Sequence, residues 1–195
     1  MRGALLVVFL LGVLAILVSQ QFAPSAEPGD DTAGPSGATT ATDVPPEPVG
    51  ATRPERAVAV TVDYIHDGDT LFIRALEPNE LLSATEAVKV RLIGIDTPEI
   101  GDAGECFGAE ATGMLRAMLP EGGTAWVTAD RDATDRYGRS LLYAWTGDGR
   151  FVNYELVAGG AATSILVGSN DAYYPLLRAA EDSAARAGVG MWGAC

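Results

Sequence analysis

Between Ala23 and Arg56 the sequence is dominated by Pro, Ala, Gly, Thr, Asp and Glu and offers almost no large apolar side chain to bury. Such a stretch cannot offset the conformational entropy lost on folding, so residues 23–56 are predicted to form a disordered spacer. Folding is left to residues 57–195, about 139 residues, which suits one domain with its own core. Upstream, every residue from Ala4 to Val18 is apolar or Gly. That length fits the apolar segment of a signal peptide and falls short of the roughly 20 residues of a comfortable membrane span. No small-x-small cleavage site lies close to the run, so residues 1–22 are read either as a signal peptide or as a retained N-terminal membrane anchor. Arg2 before the run and acidic residues after it place the bulk of the chain outside. Export is expected on both readings, with the protein secreted or held on the outer face of the cytoplasmic membrane through residues 4–18.

Within residues 57–195 the β signal comes first. Val58, Val60 and Val62 alternate with smaller or polar residues, Asp67-Gly68 offers a tight turn, and Leu71-Phe72-Ile73 resumes the pattern. A polar insert from Ala75 to Ala87 leads to a third strand over residues 88–93. Further strands are predicted at 124–129 and 140–145. Helical spacing is seen at Ala111, Met114, Leu115 and Met118, at Tyr173, Leu176, Leu177, Ala180 and Ala184, and more briefly over 152–158. Five short strands with helices interposed suit a small Greek-key barrel better than a βαβ layout.

The chemistry is concentrated in three acidic or basic turns. Asp69 follows an Asp-Gly turn, and Asp96 stands where the strand-like Leu92-Ile93-Gly94-Ile95 gives way to Thr97-Pro98-Glu99. Strand ends can aim two carboxylates into one cleft, and a hard divalent cation prefers oxygen ligands of this kind. Glu99, three residues beyond Asp96, is a spare carboxylate able to accept a proton. Arg91 interrupts an apolar strand, and Arg139 lies in the turn Tyr137-Gly138-Arg139; planar guanidinium forks match phosphate oxygens. His66 is the only histidine, which excludes zinc sites and other chemistry that need several imidazoles, and beside the Asp-Gly turn it is assigned no role. The spacing of the two cysteines excludes a Cys-rich zinc site.

Read together and in order, Asp67-Gly68-Asp69-Thr70, Arg91 to Glu99 and Asp135-Arg136-Tyr137-Gly138-Arg139 resemble the staphylococcal nuclease (thermonuclease) family, across roughly Val58 to Trp192. The resemblance implies an α+β, mainly β fold: a five-stranded OB-type Greek-key barrel with about three helices. It also implies Ca²⁺ held by Asp69, Asp96 and the main-chain carbonyl of Thr97. Glu99 would be the general base, Arg91 and Arg139 would stabilise charge at phosphorus, and Arg136 and Tyr137 would bind substrate. Arg136 replaces a lysine of the family. The tyrosines that flank the nucleotide in the family's best-known member have no counterpart in Ser164 to Ser169, so weaker substrate binding is expected.

Charge pulls the other way. Residues 57–195 carry 20 Asp and Glu against 10 Lys and Arg, a net charge of minus 10. Nonspecific nucleic-acid binding normally depends on phosphate neutralisation by Lys and Arg. A bound divalent cation offsets this locally, and an acidic surface with Lys89 as the only lysine is compatible with a high-salt habitat. Cys106 and Cys195 are expected to pair in an exported chain, tying the last helix to the loop beside the site. The expected substrates are DNA and RNA, single-stranded or denatured nucleic acid being favoured, and the expected state is a monomer. The competing reading is a noncatalytic nucleic-acid-binding barrel; retention of all six metal, base and arginine positions favours the enzyme.

Overall fold

A computed structural model describes residues 51–195; the expected signal or anchor segment and most of the expected spacer lie outside the described residues. Five strands close a barrel: β1 (Val58–Ile65), β2 (Thr70–Ala75), β3 (Val88–Leu92), β5 (Thr124–Thr128) and β6 (Ser140–Thr146). Their order around it is β1-β2-β3-β6-β5, and only the β3–β6 contact is parallel. The period-2 pattern sets which side chains point inward. Val60, Val62, Leu71, Ile73, Val90 and Leu92 are fully buried inside, while the alternate positions face out. A register shift between Val62 and Tyr64 changes the phase of β1, so Ile65 points inward and Tyr64 outward.

Three helices cover the barrel: α1 (Gly108–Met118), α2 (Val152–Ala158) and α3 (Tyr174–Ala187). The α+β barrel implied by the family resemblance is therefore the fold observed. Two features add to it. A two-residue ladder joins β4 (Ile95–Asp96) to β7 (Thr163–Ser164), and a short helix α4 (Met191–Ala194) follows α3. Neither is long enough to leave a periodic signal. No helix among the described residues is long and apolar enough to cross a membrane.

Packing on the barrel begins earlier than composition suggested. Ala51 is buried, its carbonyl accepts the indole N–H of Trp145 at 2.8 Å, and the Arg53 guanidinium lies 3.8 Å from the Trp126 ring centre. The spacer boundary read at Arg56 therefore falls inside structured chain. In the insert of residues 75–87, Leu82 packs in the core while the Asn79 side chain accepts the N–H groups of Leu81 and Leu82.

The site-bearing corner is held from behind by a buried asparagine. Asn153 on α2 accepts the N–H of Ala144 at 3.0 Å and donates to the carbonyl of Ile93 at 2.8 Å. Next to it, Gly94 turns the chain at φ 80°, and a Cβ there would stand 2.7 Å from Leu177. That positive φ and close approach admit only glycine without rearrangement.

Candidate active site

Two of the three segments meet at one guanidinium. The Asp67 carboxylate accepts the N–H groups of Asp69 and Thr70 at 3.0 and 2.7 Å, an Asx-type turn that aims Asp69 toward the β3–β4 corner. One Asp69 oxygen accepts the Thr70 hydroxyl at 3.0 Å; the other accepts the Thr97 N–H at 3.0 Å. A single terminal nitrogen of Arg91 lies 3.0 Å from Asp69 and 2.6 Å from Asp96. The second terminal nitrogen donates to the carbonyls of Leu92 and Ile95 at 2.8 and 2.6 Å, fixing the plane of the fork. Alternation turns Arg91 away from the barrel interior, and the corner buries it there. Gly68 permits the approach: a Cβ at that position would lie 2.8 to 2.9 Å from the Thr97 side chain.

Burial is the largest influence on Asp69 and pushes its carboxyl up to about 6; Asp67 adds to the rise, while Arg91 and the hydrogen bonds from Thr97 and Thr70 oppose it. A cation beside it would favour the charged form. The donors are hard oxygens, two carboxylates and the Thr97 carbonyl, and this set fits a hard divalent cation. Among the described residues no group of three or more His, Cys, Asp or Glu side chains is placed to hold a metal. The rest of a coordination shell would thus come from water and main-chain oxygen, as such cations accept.

Glu99 is exposed beyond this pair, and its backbone is clasped at both ends. Its N–H donates to the Glu105 carboxylate at 3.0 Å, and the Glu105 N–H donates back to its carbonyl at 2.9 Å. Gly108 closes the base of the loop, where a Cβ would stand 2.4 Å from the Glu99 carbonyl. Between these contacts sits Cys106, bonded to Cys195 with the two Cα atoms 6.0 Å apart. The bridge spans 89 residues, for which loop entropy gives up to about 4 to 5 kcal/mol and practice about 2 to 4. Reduction, or paired replacement of both cysteines by Ser, should lower Tm and slow turnover by loosening the Glu99 loop. Unchanged melting and turnover after confirmed reduction would refute both roles.

Arg139 is set by Asp135, whose carboxylate accepts the N–H groups of Tyr137 and Arg139 at 2.9 Å and the Arg139 Nε at 2.7 Å. Burial works against ionisation of Asp135, but these bonds outweigh it and hold its carboxyl below the usual range. The Arg136 guanidinium lies 4.7 Å from the centre of the exposed Tyr137 ring and donates to its hydroxyl at 2.6 Å. This turn borders a cleft of about 710 Å³ that Arg91, Arg131, Arg136 and Arg139 also line. Four of the ten cations in residues 57–195 thus line one cleft, where Arg91, Arg131 and Arg139 are each ion-paired and Asp132 and Asp135 share the lining. Ile165, Leu166 and Val167 supply aliphatic lining where the family's tyrosines were missing. Asp132 and Arg131 tie that loop down through the N–H and carbonyl of Ser169.

Residues 89–194 match the family model described as Staphylococcal nuclease homologue. The chain is 31% identical over 140 residues to a thermonuclease of Staphylococcus intermedius, covering 70% of this chain and 77% of that protein. The chain belongs to the staphylococcal nuclease family. An uncharacterized endonuclease of Escherichia coli O157:H7 is 32% identical over 126 residues, 65% of this chain and 71% of its own. A thermonuclease of Staphylococcus hyicus is 28% identical over 129 residues, 65% of this chain and 70% of its own. As a staphylococcal nuclease family member the chain is a nuclease, a hydrolase acting on nucleic acid.

The structure brings Asp69, Arg91, Asp96 and Thr97 into direct contact, sets Glu99 on the adjoining loop, and places Arg136, Tyr137 and Arg139 on the cleft. Sequence reasoning missed the residues that hold these in place. Asp135 had a usable signal, an Asp two residues before Tyr137 that can form an Asx turn. Glu105 had none. Nor did Glu181, which accepts the N–H and hydroxyl of Ser164 and so steadies β7 against the strand that carries Asp96.

Proposed function

We propose that this nuclease is exported, uses Ca²⁺, and hydrolyses DNA and RNA by in-line attack of water, leaving 3′-phosphates. The observation that supports it best is the single Arg91 nitrogen joined to both Asp69 and Asp96 at the edge of an arginine-lined cleft. Asp69, Asp96 and the Thr97 carbonyl would hold the cation, which when bound supplies charge neutralisation and polarisation at phosphorus. Glu99 takes the proton of the attacking water. The bond from phosphorus to the 5′ oxygen breaks, and solvent protonates that oxygen. Arg91 and Arg139 offer planar donors to the oxygens that gain charge as phosphorus becomes five-coordinate. The Cys106–Cys195 bond supports an oxidising compartment, and the apolar run of residues 4–18 supports secretion or outer-face anchoring. The working form is proposed to be a monomer acting on single-stranded or denatured substrate.

A zymogram in denatured DNA tests the reading. The purified protein should clear the gel with added Ca²⁺ and lose that activity with a calcium chelator. Clearing undiminished by chelation would sink the cation assignment.

Salt provides a second test. The surface outside the cleft repels polyanions, so near-zero ionic strength should impede encounter and destabilise the fold through self-repulsion. Both kcat/KM and Tm should rise as monovalent salt increases to several hundred millimolar at saturating Ca²⁺. A monotonic fall in kcat/KM would mean that the cleft arginines outweigh the global field.

A further inference from the structure

On the outer face of the barrel, beside the site, lies a row of side chains that the proposed chemistry does not use. Strand register places Tyr64 opposite Phe72 and Phe72 opposite Lys89. All three face outward, because their neighbours Ile65, Leu71, Ile73 and Val90 fill the interior. The next row along the same face is Thr70 opposite Arg91. Lys89 and Arg91 are therefore one same-face step apart, about 7 Å along β3.

The row presents an exposed aromatic ring beside a second one tilted against it at 46°. Tyr64 is 46% exposed, and its ring centre lies 6.1 Å from that of Phe72 and 6.4 Å from that of His66. The Lys89 ammonium stands 5.8 Å from the Phe72 ring. An aromatic this exposed gains nothing for stability from its outer surface, and the bulge in β1 is what turns it outward. Lys89, the only lysine in the chain, stands between these rings and Arg91. The row also lies on the other side of Arg91 from the cleft. Arg91 pairs with cleft-lining Leu141 on β6 in one direction and with Thr70 on β2 in the other.

We infer that Tyr64, Phe72 and Lys89 form a stacking subsite for an unpaired base of the single strand, on the far side of the scissile phosphate from the Tyr137 cleft. The inference rests on the nuclease reading above and extends it. A strand crossing Arg91 would place one flanking nucleotide toward the cleft and the next over Tyr64, with Lys89 against its phosphate. Aromatic platforms and a cation along the outer face of strands 2 and 3 are how small barrels of this shape grip single strands. Such stacking offsets part of the repulsion from the acidic surface and does not depend on base identity.

The test is binding of two labelled strands of equal length in Ca²⁺, twelve thymidylates and a twelve-residue abasic backbone, followed by fluorescence anisotropy. A Glu99→Gln background slows cleavage enough for binding to be read first. Tyr64→Ala should weaken the thymidylate strand about tenfold and the abasic strand less than about twofold, the stacking of one base. Tyr64→Phe should restore binding, and Lys89→Ala should weaken both strands. With Glu99 intact, Tyr64→Ala should raise KM on the thymidylate strand and leave kcat unchanged. Equal loss on both strands, or no loss on either, would overturn the subsite while leaving the nuclease reading intact. Failure of the unaltered row to bind either strand, with no cleavage by the chain that keeps Glu99, would overturn both.

Discussion

Replacing Glu99 with Gln is expected to lower kcat by about 10² to 10⁴, the usual worth of a positioned acid-base group, and to leave folding intact. The two halves of the expectation have separate causes. The amide keeps the size and shape of the side chain but cannot accept the proton that water must lose. The loop does not depend on that carboxylate: Glu99 is anchored through its own N–H and carbonyl to Glu105, and the loop base is closed at Gly108. An exposed, near-isosteric replacement outside such contacts should change stability by only about 0.5 kcal/mol. Ca²⁺ affinity should also hold, because Asp69 and Asp96 are untouched. Steady-state kinetics beside calcium titration and thermal melting separate these outcomes. Near-normal kcat would demote Glu99 to a loop residue.

Arg91→Ala should damage both stability and catalysis. The side chain joins two carboxylates and two carbonyls, and it is 9% exposed, as is Asp69. Its removal strands a buried carboxylate whose charged form burial already disfavours. Breaking such a pair from one side costs about 3 to 5 kcal/mol. Ca²⁺ should recover part of that loss by binding the folded state alone. Loss of a donor to the charge at phosphorus should lower kcat by a further 10² to 10³ or so. Arg91→Lys should recover little, because a single ammonium cannot hold the two carbonyls while bridging both carboxylates. Melting curves with and without Ca²⁺, set beside kcat, decide the matter. An Arg91→Ala protein with unaltered Tm and activity within tenfold would remove Arg91 from the proposed centre.

The legible part of this protein was whatever its chemistry writes locally. Alternation at Val58, Val60 and Val62, the Asp67-Gly68 turn and the spacing of Leu176, Leu177, Ala180 and Ala184 each depend on residues a few positions apart, so strands and helices could be read directly. The same holds for the site's carboxylates and arginines, which had to sit at turns and strand ends. What could not be read is what bridges long separations. Asn153 reaches 60 residues back to Ile93, Glu181 reaches 17 back to Ser164, and Trp145 reaches 94 back to Ala51. The start of packing at Ala51 was hidden for the same reason, since a lone small residue in a Pro- and Gly-rich stretch has no periodicity.

By itself, the order of residues determined a small barrel with helices, two carboxylates and two guanidiniums suited to phosphate chemistry, and a chain whose net charge opposes its substrate. Tertiary structure alone decided that Asp69 and Asp96 share one Arg91 nitrogen, that four arginines line one cleft, and that Tyr64, Phe72 and Lys89 form a row beside it. The reason is that alternation specifies which face a side chain takes, whereas strand register and one bulge specify its neighbours there, and those depend on closure of the whole barrel.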